Sequence, residues 1–199
     1  MMKTMRLIIV AVGGQGNLLT ARVIGEAALA ADIPVRMSEI HGMAQRGGVV
    51  ESAIVFGDAD SPIISDGEAD LLVGFEPSET LRGLPRCNPK TVVVTNVAPT
   101  PPFTVAIGRG VYPDLAEIDR LLREKTARVV SLDAAALARE AGNLMSVNMV
   151  LLGAAAGTGK LPLTPADLET AIETRTRKDF VETNRRAFTL GLEAARAAA

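Results

Sequence analysis

A chain of 199 residues that is 48% hydrophobic, only 3% aromatic and of formal net charge −2 fits one α/β domain, residues 1–199, with a core of small aliphatic side chains. Acids and bases are interspersed, so no nucleic-acid partner is expected, and the apolar runs Leu7 to Val12 and Val147 to Ala156 fall short of the ~20 residues a membrane span needs. The single cysteine, Cys87, excludes an internal disulfide and the thiolate set that an iron–sulfur cluster takes; with no cleavage site after Met1 to Arg6, the expected address is cytoplasmic.

Arg6 to Val12 is an uninterrupted apolar run followed at once by glycines, the signature of a parallel strand buried on both faces. From Asn17 to Ala31 apolar residues recur at helical spacing, and Pro34 to Ser38 reads as a second strand completing a βαβ unit. His41 to Gly48, with Gly42, Gly47 and Gly48, is a loop. Val49 to Phe56 alternates as a strand, Gly57 to Ser61 is a turn, and Pro62 to Ser65 is expected to pair back as a hairpin partner, which gives some antiparallel pairing. Asp70 to Phe75 and Thr91 to Thr95 are further buried strands, with a short helix over Pro77 to Leu84 between them. Prolines 99, 101 and 102 make Val97 to Tyr112 irregular or an edge segment. A helix over Asp114 to Lys125, a strand over Arg128 to Leu132 and a helix over Ala134 to Ala141 follow. The remainder is helical: Val147 to Ala156, a break at Gly157 to Pro162, Pro165 to Thr174, and Lys178 to Ala198. The expected fold is a three-layer α/β/α, Rossmann-like sandwich on a mostly parallel sheet, with a helical C-terminal region.

Two segments stand out chemically. Gly13-Gly14-Gln15-Gly16 joins a buried strand to an amphipathic helix, the context of a phosphate-cradling turn, because glycine admits close backbone approach and the helix start offers unpaired N–H groups. Ala11 replaces the first glycine of a strict dinucleotide fingerprint and no clear ribose-binding acid ends the second strand, so phosphate contact and close strand–helix packing both remain open. The second segment is Gly42-Met43-Ala44-Gln45-Arg46-Gly47-Gly48. Arg46 has the planar fork that grips carboxylate or phosphate, and Gly47 and Gly48 let backbone amides approach the same anion; this outweighs a turn with a solvated arginine. His41, the single histidine, has no partner in the sequence to complete a triad and reads as a hydrogen-bonded loop residue. Gly157-Thr158-Gly159-Lys160 is not a nucleotide loop: Leu161 stands where Ser or Thr is required, and the stretch reads as a helix end. Glu76 and Glu79 follow a strand, so Glu76 is a candidate for the ligand crevice, although capping of the next helix is the stronger reading.

These residues, in this order, carry a likeness. Val12 to Gly16, Gly42 to Gly48, Asp70 before its strand, Glu76 with Glu79 and Leu81-Arg82, Asn148 to Gly153, and Asn184 with Ala187-Phe188 and Gly191 together resemble the gamma subunit or domain of pyruvate and 2-ketoisovalerate ferredoxin oxidoreductases. The form Gly-Met-Ala-Gln-Arg-Gly-Gly looks like that of the indolepyruvate enzyme's small beta subunit. The resemblance implies a non-autonomous subunit, inactive alone. A large partner subunit would carry thiamine diphosphate, magnesium and the iron–sulfur clusters, with ferredoxin as electron acceptor through the complex. The 2-oxoacid, indolepyruvate or another aryl pyruvate, and coenzyme A would be the substrates. Gly13, Gly14, Gln15, Gly16, Gly42, Met43, Gln45, Arg46, Gly47, Gly48 and Glu76 would then lie on the substrate and coenzyme A side or at the subunit interface, with no catalytic residue and no cofactor held by this chain alone. The competing readings are a stand-alone nucleotide- or small-anion-binding α/β protein and a nicotinamide or flavin oxidoreductase.

Overall fold

A computed structural model describes residues 3–42, 48–101, 105, 107–108 and 110–198. The elements are β1 (Met5–Val12), α1 (Asn17–Ala30), β2 (Val35–His41), β3 (Val49–Phe56), β4 (Ala69–Gly74), α2 (Pro77–Gly83), β5 (Cys87–Asn96), α3 (Leu115–Lys125), β6 (Arg128–Leu132), α4 (Ala134–Ala141), α5 (Val147–Gly157), α6 (Pro165–Arg175) and α7 (Val181–Ala197). The strands form one six-stranded sheet in the order β2-β3-β1-β4-β5-β6. β1, β4, β5 and β6 are parallel neighbours, whereas β3 is antiparallel to both β1 and β2.

β1 shows why an unbroken apolar run belongs at the centre of this sheet. Its alternate side chains feed two cores: Leu7, Ile9 and Ala11 face α1 and the C-terminal helices, and Ile8 and Val10 face α2 and α3. Both faces are covered, as parallel strands require. The layers are unequal, with α1, α4, α5, α6 and α7 on one face and α2 and α3 on the other. Within the thick layer α5 and α7 cross at backbone distance. A Cβ on Gly153 would lie 1.9 Å from the Phe188 carbonyl oxygen, and one on Gly191 would lie 1.9 Å from that of Val150.

The structure departs from the sequence expectations in three places. β2 is not the neighbour of β1, because β3 is inserted between them; β2 also runs on to His41, which the sequence placed in a loop. Pro62 to Ser65 forms no strand. Pro62 has no N–H to give a ladder, Ile64 alone dips into the core, and the Ser65 amide donates to the Glu68 carboxylate at 3.0 Å. β5 starts at Cys87 rather than Thr91, and the ladder absorbs Pro89 by a register shift between Ala69 and Leu71.

Candidate functional site

From β1 the chain passes through α1 toward the β2 edge, and from β4 it proceeds through α2, β5 and α3 toward the β6 edge. The carboxyl ends of β1 and β4 therefore flank the topological switch point, where open α/β sheets leave a crevice for ligands. The glycine turn sits there. Gly14 and Gly16 have φ of 99° and 87°, a region that other residues enter only at a cost. Gln15 steadies the turn by accepting the Val12 amide at 2.9 Å. Gly16 is the N-cap of α1 and supplies no side-chain hydrogen bond, so the first turn of α1 keeps its N–H groups for another partner.

The second motif meets the first. The Gly13 amide donates to the Gly48 carbonyl at 2.8 Å, and the Gly42 amide donates to the Val49 carbonyl at 2.7 Å, so both ends of the Gly42 to Gly48 segment are anchored beside the turn. Met43, Gln45, Arg46 and Gly47 lie outside the described residues.

A cleft of about 970 Å³ opens against this turn, within the size range of small-molecule sites. Gly14, Gln15 and Gly16 form one wall and Ala98 to Thr100 another, while Asn143 to Asn148 and Arg175 to Arg177 close the rest. Gly142, left-handed at φ 107°, ends α4 and turns the chain back so that Asn143 to Ser146 reach the cleft. Asn148 packs on the glycine turn, its side chain 3.0–3.2 Å from where a Gly16 Cβ would be. Ser146 donates to Asn184 at 2.7 Å, tying α7 to the same floor. Among the described lining residues are three arginines, Arg139, Arg175 and Arg177, and no carboxylate. Arg175 is paired with Glu26 of α1. A bare helix N-terminus, guanidinium groups, amides and apolar Leu19, Leu144, Val147 and Phe180 suit an elongated anion with an apolar portion.

Glu76, expected as a candidate for the crevice, is fully buried (0% exposed) and is not a lining residue. Its carboxylate is occupied by the chain itself. One oxygen accepts from the Ser78 hydroxyl at 2.6 Å and the Glu79 amide at 3.0 Å, capping α2; the other accepts from the Thr100 amide at 3.2 Å and the Tyr112 hydroxyl. Burial, then the Glu76 carboxylate, raise the Tyr112 phenol above its usual range. Glu76 thus caps α2, the stronger reading from the sequence, while its second oxygen anchors the loop at Thr100. His41 ends the edge strand exposed, and Gly157 to Lys160 terminates α5, with Gly159 left-handed at φ 70°. Glu39 lies on β2, separated from β1 by β3, and so does not occupy the place of a ribose-reading acid beside the glycine turn. Burial pushes the Cys87 thiol up to about 12, which leaves it unreactive at neutral pH. No group of three or more His, Cys, Asp or Glu able to hold a metal occurs among the described residues, and none of their helices is long and apolar enough to cross a membrane.

Sequence reasoning did not identify Asn96, Arg139, Arg175, Arg177 or Ser146 as site residues. Asn96 is the most connected: its side chain accepts from the Ala98 amide at 3.2 Å and the Ala134 amide at 3.1 Å, and donates to the Phe75 carbonyl at 3.2 Å. A polar residue closing a β-branched run was the available signal.

Comparison with known proteins places these features in context. The family described as pyruvate ferredoxin/flavodoxin oxidoreductase matches residues 6–194. Indolepyruvate oxidoreductase subunit IorB of Methanothermobacter thermautotrophicus is 44% identical over 184 residues, covering 92% of this chain and 94% of that protein. The keto/oxoacid ferredoxin oxidoreductase gamma subunit of Geobacter sulfurreducens superposes with a TM-score of 0.71 at 22% identity, covering 98% of this chain and 99% of the other. The 2-oxoglutarate:ferredoxin oxidoreductase of Magnetococcus marinus, solved with 2-oxoglutarate, coenzyme A and succinyl-CoA bound, superposes with a TM-score of 0.77 at 18% identity, over 100% of this chain and 32% of that one.

Proposed function

The chain belongs to the pyruvate ferredoxin/flavodoxin oxidoreductase family, and from that premise we propose that it is the small subunit of a 2-oxoacid:ferredoxin oxidoreductase acting on indolepyruvate and other aryl pyruvates in the cytoplasm. The reaction converts a 2-oxoacid anion and coenzyme A thiol into an acyl thioester, carbon dioxide and a proton, and two electrons pass to ferredoxin. Thiamine diphosphate with magnesium, and the iron–sulfur clusters, supply the decarboxylation and the electron path from a large partner subunit. The donor set of this chain does not fit those groups: its single cysteine is half-buried, with a thiol pushed up by burial, and no acidic or histidine cluster stands in among the described residues.

The observation that carries the reading is the cleft at the switch point, where α1's bare N-terminus, Arg139 and Arg177 offer cationic and N–H partners with no described carboxylate to oppose them. Coenzyme A matches that chemistry, with phosphates for the guanidinium groups and the α1 terminus and an apolar-flanked arm for Leu144, Val147 and Phe180. Gly13 to Gly16 give phosphate approach. Arg46, with the Gly47 and Gly48 amides, is assigned an anion-contacting role at the shared active site, and Gly42, Met43 and Gln45 a substrate, coenzyme A or interface role. Leu144, Met145 and Phe180 of the cleft lining, and Val97 beside Ala98, are exposed large apolar side chains, which supports docking of the large subunit over this end of the sheet.

The test is reconstitution. Co-expressed with its large subunit, the chain is expected to support coenzyme A-dependent reduction of ferredoxin by an aryl pyruvate; purified alone it is expected to be inactive. Arg46→Ala is expected to weaken the dependence on oxoacid or coenzyme A, and an unchanged dependence on both removes Arg46 from the site.

A further inference from the structure

Glu76 holds two structures at once, one on each carboxylate oxygen. Oε2 takes Ser78 and Glu79 and starts α2, whereas Oε1 takes Thr100 and Tyr112, from residues far downstream. Thr100 belongs to the Ala98 to Thr100 wall of the cleft, and Tyr112 lies twelve residues further along the chain. The other end of the same wall is fixed by Asn96, which accepts the Ala98 amide. The Val97 amide still donates to the Leu132 carbonyl at 3.0 Å, but no helix or strand constrains residues 98–101, so these two buried side chains take the place of backbone pairing there. A buried carboxylate that loses a donor leaves a costly vacancy, which makes Oε1 a stiff anchor.

We infer that Glu76, through the Thr100 amide and the Tyr112 hydroxyl on Oε1, is a positioning residue that holds the Ala98 to Thr100 wall in the shape a ligand of the cleft meets. It acts on the ligand without touching it. The effect on coenzyme A rests on the functional reading given above; the tether itself does not.

The experiment uses the complex assembled with the large subunit and two variants. Tyr112→Phe removes one donor to Oε1 and leaves the α2 cap intact. It is expected to raise KM for coenzyme A about tenfold, with kcat at saturating coenzyme A within about twofold of wild type. Amide hydrogen exchange at Thr100 and Ala98, the residues of the wall that carry an N–H on either side of Pro99, should accelerate, while that in 91–96 of β5 should not. Glu76→Gln retains an acceptor for the cap and replaces one oxygen by a donor, and is expected to move the same readouts further. Unchanged exchange in both variants overturns the tether, and faster exchange with unchanged KM overturns the positioning role. A wild-type complex whose rate ignores coenzyme A sinks the functional reading instead, and exchange alone then decides whether Glu76 holds the wall.

Discussion

Glycines matter in two parts of this molecule for opposite reasons. In the turn after β1, Gly14 and Gly16 are needed for backbone direction: both are left-handed, and a Cβ on Gly14 would meet nothing within 4 Å. At the crossing of α5 and α7, Gly153 and Gly191 lie inside helices, and a Cβ on either would drive into the facing backbone at 1.9 Å. The first pair opens a helix terminus to the cleft, while the second lets two helices touch. The regions are nonetheless coupled, because the helices brought together at the crossing carry Ser146, Asn148 and Asn184 to the floor under the turn. A family likeness spread over both segments therefore mixes demands of binding with demands of packing.

The contrast can be broken from either side. The largest effect is expected at the crossing, where Gly191→Ala or Gly153→Ala must separate two backbones and should cost about 3 kcal/mol of stability; urea unfolding measures it, and a loss under about 1 kcal/mol would mean that the helices part freely. Gly16→Ala combines left-handed strain with a clash against Asn148 and should cost about 2 kcal/mol together with weaker coenzyme A binding in the complex. Gly14→Ala carries the strain without the clash, so about 1 kcal/mol is expected. If it proves as damaging as Gly16→Ala, the Asn148 contact is irrelevant. The smallest change in stability, within about 0.5 kcal/mol, is expected for Arg139→Ala and Arg177→Ala, exposed at the cleft. Each should raise KM for coenzyme A roughly fivefold, and added salt should narrow the gap from wild type.

What could be read from the sequence follows the range of the interactions involved. β1, α1, β3, α4 and β6 are set by local periodicity and neighbouring turn residues, and their expected spans match the structure closely. The insertion of β3 between β1 and β2 is a long-range choice with no local trace, since β2 reads the same whichever strand it pairs with. The site divides in the same way. Gly14 to Gly16, which line the cleft, belong to a contiguous motif legible in the sequence. The arginines of the cleft come from separate helices and loops, where a lone surface Arg is unremarkable. Glu76 was recognisable as a cap by its place before Pro77 and Glu79, but its second oxygen is claimed by Thr100 and Tyr112, partners that only the folded chain brings within reach.

The reversed direction of β3 has an engineering consequence. Because β3 begins at the end of the sheet where β1 finishes, the segment between Gly42 and Gly48 leaves one strand and re-enters another at a single location, with its exits stitched at 2.7 Å and 2.8 Å. A peptide grafted in place of residues 43–47 would therefore start and finish on backbone that is already hydrogen-bonded, so neither flanking strand would have to change its register.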